Sequence, residues 1–246
     1  MPSLSPEHPS VALPASPQDR DGYLERLAST RRVDVFVANA GSATLDTVRV
    51  GTAVVPVVVN DGLARDCYLI SASAHYHRYT HFEFSRMTSL GARAAGALLG
   101  ALDYALGGPS FNRAVHLNNW LLTTSPCLLP RPSDLRAAVS ELTRRFPGYC
   151  VTWRLQAPPD YLELLRNDGW IVLPHRPVYR WQAEGLRSKV LNKSRDELRS
   201  FARRGLSLEP GEGFGREAYD EMRRMYRNLY IDRHCPFNAD FTSAYF

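Results

Sequence analysis

Several things are missing from this chain of 246 residues. No stretch approaches the ~18 to 20 consecutive apolar residues that a membrane-spanning helix needs. Cysteine is scarce, and Cys67, Cys127, Cys150 and Cys235 stand far apart. That scatter excludes paired-cysteine zinc spacing and does not suggest a disulfide framework, so a cytoplasmic setting is expected. There is no Gly-x-Ser-x-Gly elbow, no Walker loop and no Rossmann glycine fingerprint, so a nucleophilic triad, nucleotide hydrolysis and hydride transfer are not expected. The N-terminus holds five prolines by position 17 and no basic start followed by an apolar stretch. Residues 1–20 are therefore expected as a disordered arm rather than a secretory leader or a packed element.

What is present suits an α/β (α+β) chain. Hydrophobic residues make up 44%, enough for a core, and the length allows one large or two small domains. A short helix is expected over 22–30. Strands are expected over 33–38, 43–50 and 53–60, where β-branched runs are punctuated by Gly41, Gly51 and Gly62, and a fourth over 67–70. An Ala/Leu-rich helix is expected over 88–106, with Gly91, Gly96 and Gly100 costing it about 1 kcal/mol each against Ala unless close packing on the sheet offsets the loss. A strand over 114–119, a helix over 133–146 with Ser133 as N-cap, and a strand from 149 follow. Next come a helix over 161–169 closed by Gly169, and strands over 170–173 and 178–181.

Three groups of residues carry candidate chemistry. His75, Tyr76, His77 and His81 crowd one short stretch. On a strand His75 and His77 share a face, and on a helix His77 and His81 do; metal binding, pocket lining and a plain structural role all remain open, although no acidic or cysteine third ligand is near. Imidazole and phenol together can also supply hydrogen bonds and a general base near neutral pH. Asn118, Asn119 and Trp120 follow a strand, where the amides either orient a substrate or cap neighbouring backbone groups. Together His75, Tyr76, His77, Asn118, Asn119 and Trp120 are the candidate pocket walls.

Net charge is +5, and Arg187, Lys189, Lys193, Arg195, Arg199, Arg203 and Arg204 stand against only Asp196 and Glu197 in one stretch. This basic helix suits a phosphate-rich partner, whether coenzyme A, tRNA or an anionic lipid surface; a solvated face is the plain alternative.

From the strand at 149 to Trp181, with its Gly169-Trp170 pair, the chain resembles the end of a GCN5-related acyltransferase (GNAT) domain. The basic helix ending in Gly205, the helix carrying Met222, Met225, Tyr226, Leu229 and Tyr230, and the stretch from Phe237 to Thr242 resemble the link to the second half of tandem, Fem-type peptidyltransferases. The resemblance implies a mixed, mostly antiparallel sheet flanked by helices over 21–184, and a second, incomplete domain over 185–246. It also implies transfer of an acyl or aminoacyl group from acyl-CoA or aminoacyl-tRNA to a small-molecule or peptide-like amine or hydroxyl acceptor.

In that family coenzyme A is held by a Gln/Arg-x-x-Gly-x-Gly/Ala loop. Residues 121–132 contain no glycine, prolines there remove donors, and the spacing around Arg86 and Gly91 is wrong. The donor site is therefore expected beyond Phe246, and no metal is expected. The alternative is a non-catalytic module engaging nucleic acid or a protein through residues 187–204.

Overall fold

The computed structural model describes residues 17–106, 108–126, 128–173, 188–207 and 213–246. Eight α-helices and a four-stranded mixed sheet are described. The order is α1 (Pro17–Thr30), β1 (Thr44–Val50), β2 (Ala53–Asp61), α2 (Tyr79–Ser85), α3 (Leu90–Leu106), the single turn α4 (Pro109–Asn112), β3 (Arg113–Leu117), α5 (Pro132–Arg145), β4 (Cys150–Trp153), α6 (Pro159–Asn167), α7 (Ser188–Arg203) and α8 (Arg216–Tyr226). The arm expected over 1–20 lies outside the described residues except for the start of α1, as does the expected strand over 178–181.

β1 and β2 form a hairpin closed by Val50 opposite Ala53, with Gly51 supplying the positive φ (62°) that a two-residue turn requires. β2 pairs antiparallel with β3 and β3 pairs parallel with β4, α5 making the crossover. The period of two sorts the side chains. Val55, Val57 and Val59 of β2, with Val48, Val50, Val115 and Leu117, meet Leu135, Ala138 and Leu142 of α5 and Leu165 of α6. The opposite face presents Leu45 and Val58 to Leu27 of α1, to Val33, Val37 and Ala40, to Cys67–Ile70, and to Ala239 and Phe241. β2 is thus covered on both sides, which is why it reads as a nearly continuous apolar run.

Five local expectations are corrected. Residues 33–35 and 38–40 are 3₁₀ turns rather than a strand, because Val33, Val37 and Ala40 must all turn inward, which a period of two forbids. Residues 67–70 form a buried turn whose Tyr68, Leu69 and Ile70 carbonyls are taken by side chains instead of a neighbouring strand. Residues 170–173 are irregular. α5 starts one residue early, with Arg131 at the cap position, so Ser133 lies inside the first turn. Gly96 and Gly100 do not meet the sheet: a Cβ on either would stand 3.3–3.4 Å from Phe84 or His81 of α2.

The glycine stops of α6 and α7 share one geometry. The N–H of Trp170 reaches the Leu165 carbonyl and that of Gly169 the Arg166 carbonyl; Leu206 and Gly205 do the same to Phe201 and Ala202. With φ of 87° and 65° at the two glycines, both are Schellman endings.

Residues 238–242, near the end of the chain, pack against the turns that follow α1. Asn39 donates its amide to the carbonyls of Asp66 (2.8 Å) and Asn238 (2.7 Å) and accepts from the Asp240 N–H (3.0 Å). Val37 forms an antiparallel bridge with Phe241, and Thr242 N–H bonds the Phe36 carbonyl.

Candidate functional site

The carboxyl ends of the parallel strands β3 and β4 gather the unusual geometry. Directly after β3 the backbone enters the left-handed region at Asn118 (φ 55°) and again at Leu121 (φ 57°). Such conformations cost of order 1 kcal/mol or more in a non-glycine residue and persist only where the surroundings hold them. Here side-chain amides do so. Asn118 accepts the Trp120 indole N–H (2.7 Å) and donates to the Pro126 carbonyl (3.0 Å). Asn119 accepts the Leu121 N–H (3.0 Å) and donates to the Leu69 carbonyl (3.0 Å). Trp120 is buried and stacks on Tyr23 of α1 at 6.0 Å. The amides therefore hold backbone in place.

The turn at 67–70 lies against these strand ends. Its carbonyls receive Asn119 at Leu69, Asn60 and His116 at Ile70, and the Arg154 guanidinium at Tyr68. Arg154, just past β4, also lies over the Tyr68 ring at 5.6 Å. That ring stands 6.0 Å from His75 and 6.2 Å from Tyr79, and its hydroxyl bonds Thr123 at 2.8 Å. Tyr76 meets His75 edge-on at 4.6 Å.

His75 and Tyr76 are thus placed beside the turn that also receives Asn119. His77 is not. Its segment is π-helical, and the ring stacks on Phe111 at 5.5 Å with Nδ1 3.9 Å from Asp103. His81 bonds the Gly96 carbonyl from Nδ1 at 2.6 Å, so the two imidazoles serve the contact with α3 and α4. Among the described residues no three metal-binding side chains are grouped.

His116, Tyr68 and Arg154 were not singled out from the sequence. His116 interrupts the apolar run of β3 and donates from Nε2 to the Ile70 carbonyl (2.8 Å), so Nδ1 accepts the Thr152 hydroxyl proton (2.7 Å). Burial, with the Arg154 charge adding to it, pushes its pKa down to about 4. With both nitrogens committed and the ring neutral, it is a structural histidine. Burial also pushes the Cys67 thiol up to about 12, so it is not a nucleophile. The available signal was positional: Arg154 is a charge directly after an apolar strand.

The basic residues form a separate group. Arg187 lies outside the described residues, and Lys189 falls on α7. Lys193, Arg195, Arg199, Arg203 and Arg204 are exposed; Arg199 pairs with Asp196 at 3.3 Å and Lys193 stands 3.9 Å from Glu197. At the start of α5, Pro132 lacks an N–H, and Asp134 occupies the first turn in an ion pair with Arg131. That end of α5 is already neutralised by a carboxylate. No helix among the described residues is long and apolar enough to cross a membrane.

Compared with known protein families, with characterised proteins and with solved structures, the chain shows no match.

Proposed function

We propose that the protein belongs to the acyltransferases of the GCN5-related, Fem-like kind, moving an acyl or aminoacyl group from acyl-CoA or aminoacyl-tRNA to an amine or hydroxyl. One observation carries the reading. An antiparallel β1–β2–β3 meander is followed by the α5 crossover to parallel β4, and the strained, side-chain-braced turn lies where the two parallel strands end. Crevices beyond the carboxyl ends of parallel strands are where open α/β sheets bind ligands. His75, Tyr76, Tyr68 and Arg154 supply aromatic faces, an imidazole and a fixed cation beside that point.

The reaction requires an amine to attack a thioester or ester carbonyl while a backbone N–H stabilises the oxyanion and a base removes the amine proton. Because α5 opens with Pro132 and Asp134, the donor phosphates are assigned to the exposed cations of α7. The test is release of free thiol from acetyl-CoA, and deacylation of aminoacyl-tRNA, over a panel of amine and hydroxyl acceptors. Acceptor-dependent turnover of either donor supports the reading; binding of neither donor sinks it.

The exposure of α7 also favours a second reading, a non-catalytic module that binds nucleic acid or a protein. Contacts to several phosphates predict an affinity for RNA that falls linearly on a log–log plot against salt. A flat response to salt removes the nucleic-acid form of that reading.

A further inference from the structure

Helix α3 is apolar on both of its sides, and only one of them is covered. The inner side, which includes Gly96 and Gly100, packs chiefly on α2 and on residues 74–78. The outer side exposes Leu90 (82%), Ala94, Ala97, Leu98 (63%), Ala101 and Tyr104 (94%), and Arg93 is the one charge among the exposed residues over 90–105. A solvated helix face ordinarily carries charged and polar residues. A contiguous apolar face of this kind marks an interaction surface. Pairing it with its own copy would cover on the order of 1,000 Å² in total, the threshold for a specific interface.

The face is complementary to itself. Leu90, Ala94, Ala97, Ala101 and Tyr104 recur at alternating spacings of four and three, the seam of a helix pair. Small residues hold the middle of the seam and large ones its ends. Two copies laid antiparallel, with Ala97 against the partner's Ala101, set Tyr104 on the partner's Ala94. The same register brings Leu90 to the partner's Gly108, where a Cβ would meet nothing within 4 Å. Large meets small at each of these layers, as knobs need holes, and the alanines let the axes approach to about 8 Å. Parallel copies would instead stack Tyr104 on itself and leave the three alanine layers underfilled. The antiparallel register also places Arg93 beside the partner's Tyr104 ring, in reach of a cation–π contact, and opposes the two helix dipoles favourably. A lipid surface fits less well, since helices that lie in a bilayer interface border their apolar side with several Lys and Arg.

We infer that α3 is the two-fold interface of a homodimer, each copy laying its Leu90–Tyr104 seam antiparallel on the other. The dimer bears on the strand-end cluster from outside. The inner side of α3 holds the segment that carries His75 and Tyr76: Asp103 of α3 stands 3.9 Å from His77, and the Gly96 carbonyl takes the His81 ring at 2.6 Å. Covering the outer side therefore fixes the helix on which that segment rests. The inference does not depend on acyl transfer.

The test is sedimentation velocity of the full chain over a concentration series, with hydrogen exchange read at both ends of the series. A species of twice the chain mass is expected at tens of micromolar, about the weak end for an interface near this size. Amide exchange over residues 90–106 and 74–85 should slow as it forms. Leu98→Glu should raise the dissociation constant about tenfold or more without moving the unfolding midpoint of the dilute protein, because Leu98 is exposed in the single chain. Ala94→Lys and Tyr104→Glu should each do the same, and the two together in one chain should recover much of the loss, since only the antiparallel register sets Lys against Glu. A monomer throughout overturns the inference, whether Leu98→Glu then destabilises the chain, which would mean that its own residues cover the face, or the protein instead floats with lipid vesicles. A dimer that is indifferent to Leu98→Glu, or whose protection from exchange lies elsewhere, overturns it as well. Failure of the double variant to recover overturns the antiparallel register. The mass and exchange readings on the unaltered chain stand even if a variant fails to fold.

Discussion

On one face of the sheet, α5 and α6 lay regular apolar stripes across Val48, Val57 and Val115. On the other, much of the cover is turns at 33–40 and 67–70 and the last ten residues, which reach Leu45 and Val58 beside α1. The first face is closed by side-chain periodicity, Leu135, Ala138 and Leu142 recurring at helical spacing. The second is closed by amides and one imidazole that satisfy backbone groups no ladder or helix can reach: Asn39, Asn60, Asn119 and His116. Regular cover needs only an apolar stripe. Irregular cover needs a specific polar side chain for each carbonyl it buries, and the strained backbone and the cluster around Tyr68 lie on that side.

The largest expected effect breaks the irregular face. Asn60 is fully buried, donates to the Ala64 and Ile70 carbonyls at 2.7 Å each and accepts the Gly62 N–H at 2.9 Å. Asn60→Ala removes bonds from three buried groups and should destabilise the fold by about 4 kcal/mol in urea unfolding. The matching change on the regular face, Leu142→Ala, removes an apolar side chain and should cost about 3 kcal/mol. A cost for Asn60→Ala well below that for Leu142→Ala would mean that water replaces the amide, and the distinction between the two faces would fail.

This contrast also explains what could be read in advance. β1, β2, α3, α5 and α6 were legible because periodicity and glycine punctuation belong to the residues themselves. The 3₁₀ turns at 33–40 and the turn at 67–70 were not. Their apolar residues fit a strand equally well, and what decides against it is a set of donors far away in sequence, such as Arg154 for the Tyr68 carbonyl. The candidate site was half legible for the same reason. His75 and Asn119 lie against one turn, with Tyr76 edge-on to the His75 ring, whereas the separation of His77 depends on a π-helical segment that no spacing rule signals. The packing of Phe241 on Val37 could not be inferred from either segment alone.

His116 gives the irregular face a pH dependence of its own. Its pKa falls from 6.5 to about 4 on folding, so between those values the unfolded chain binds the extra proton. The stabilising contribution is complete above pH 6.5, declines as pH falls towards 4, and amounts to about 3 kcal/mol at most. Urea midpoints should drop between pH 7 and pH 4.5, and His116→Asn should flatten that part of the profile. An unchanged profile would mean that His116 titrates normally in the folded protein.

The smallest effect separates a helix that belongs to the core from one that does not. Gly169 and Gly205 end α6 and α7 with the same hydrogen bonds and both hold positive φ, so Ala costs each ending about 1 kcal/mol locally. Trp170, the residue after Gly169, packs with Leu165 into the regular core, whereas Leu206, the residue after Gly205, is exposed. Gly169→Ala should therefore lower the global unfolding midpoint, while Gly205→Ala should leave it in place and reduce only the helicity of α7, read as faster amide exchange over residues 200–206. Equal shifts in the global midpoint would show that α7 is as firmly docked as α6. The cations of α7 would then be held in one orientation before any phosphate-bearing donor arrives.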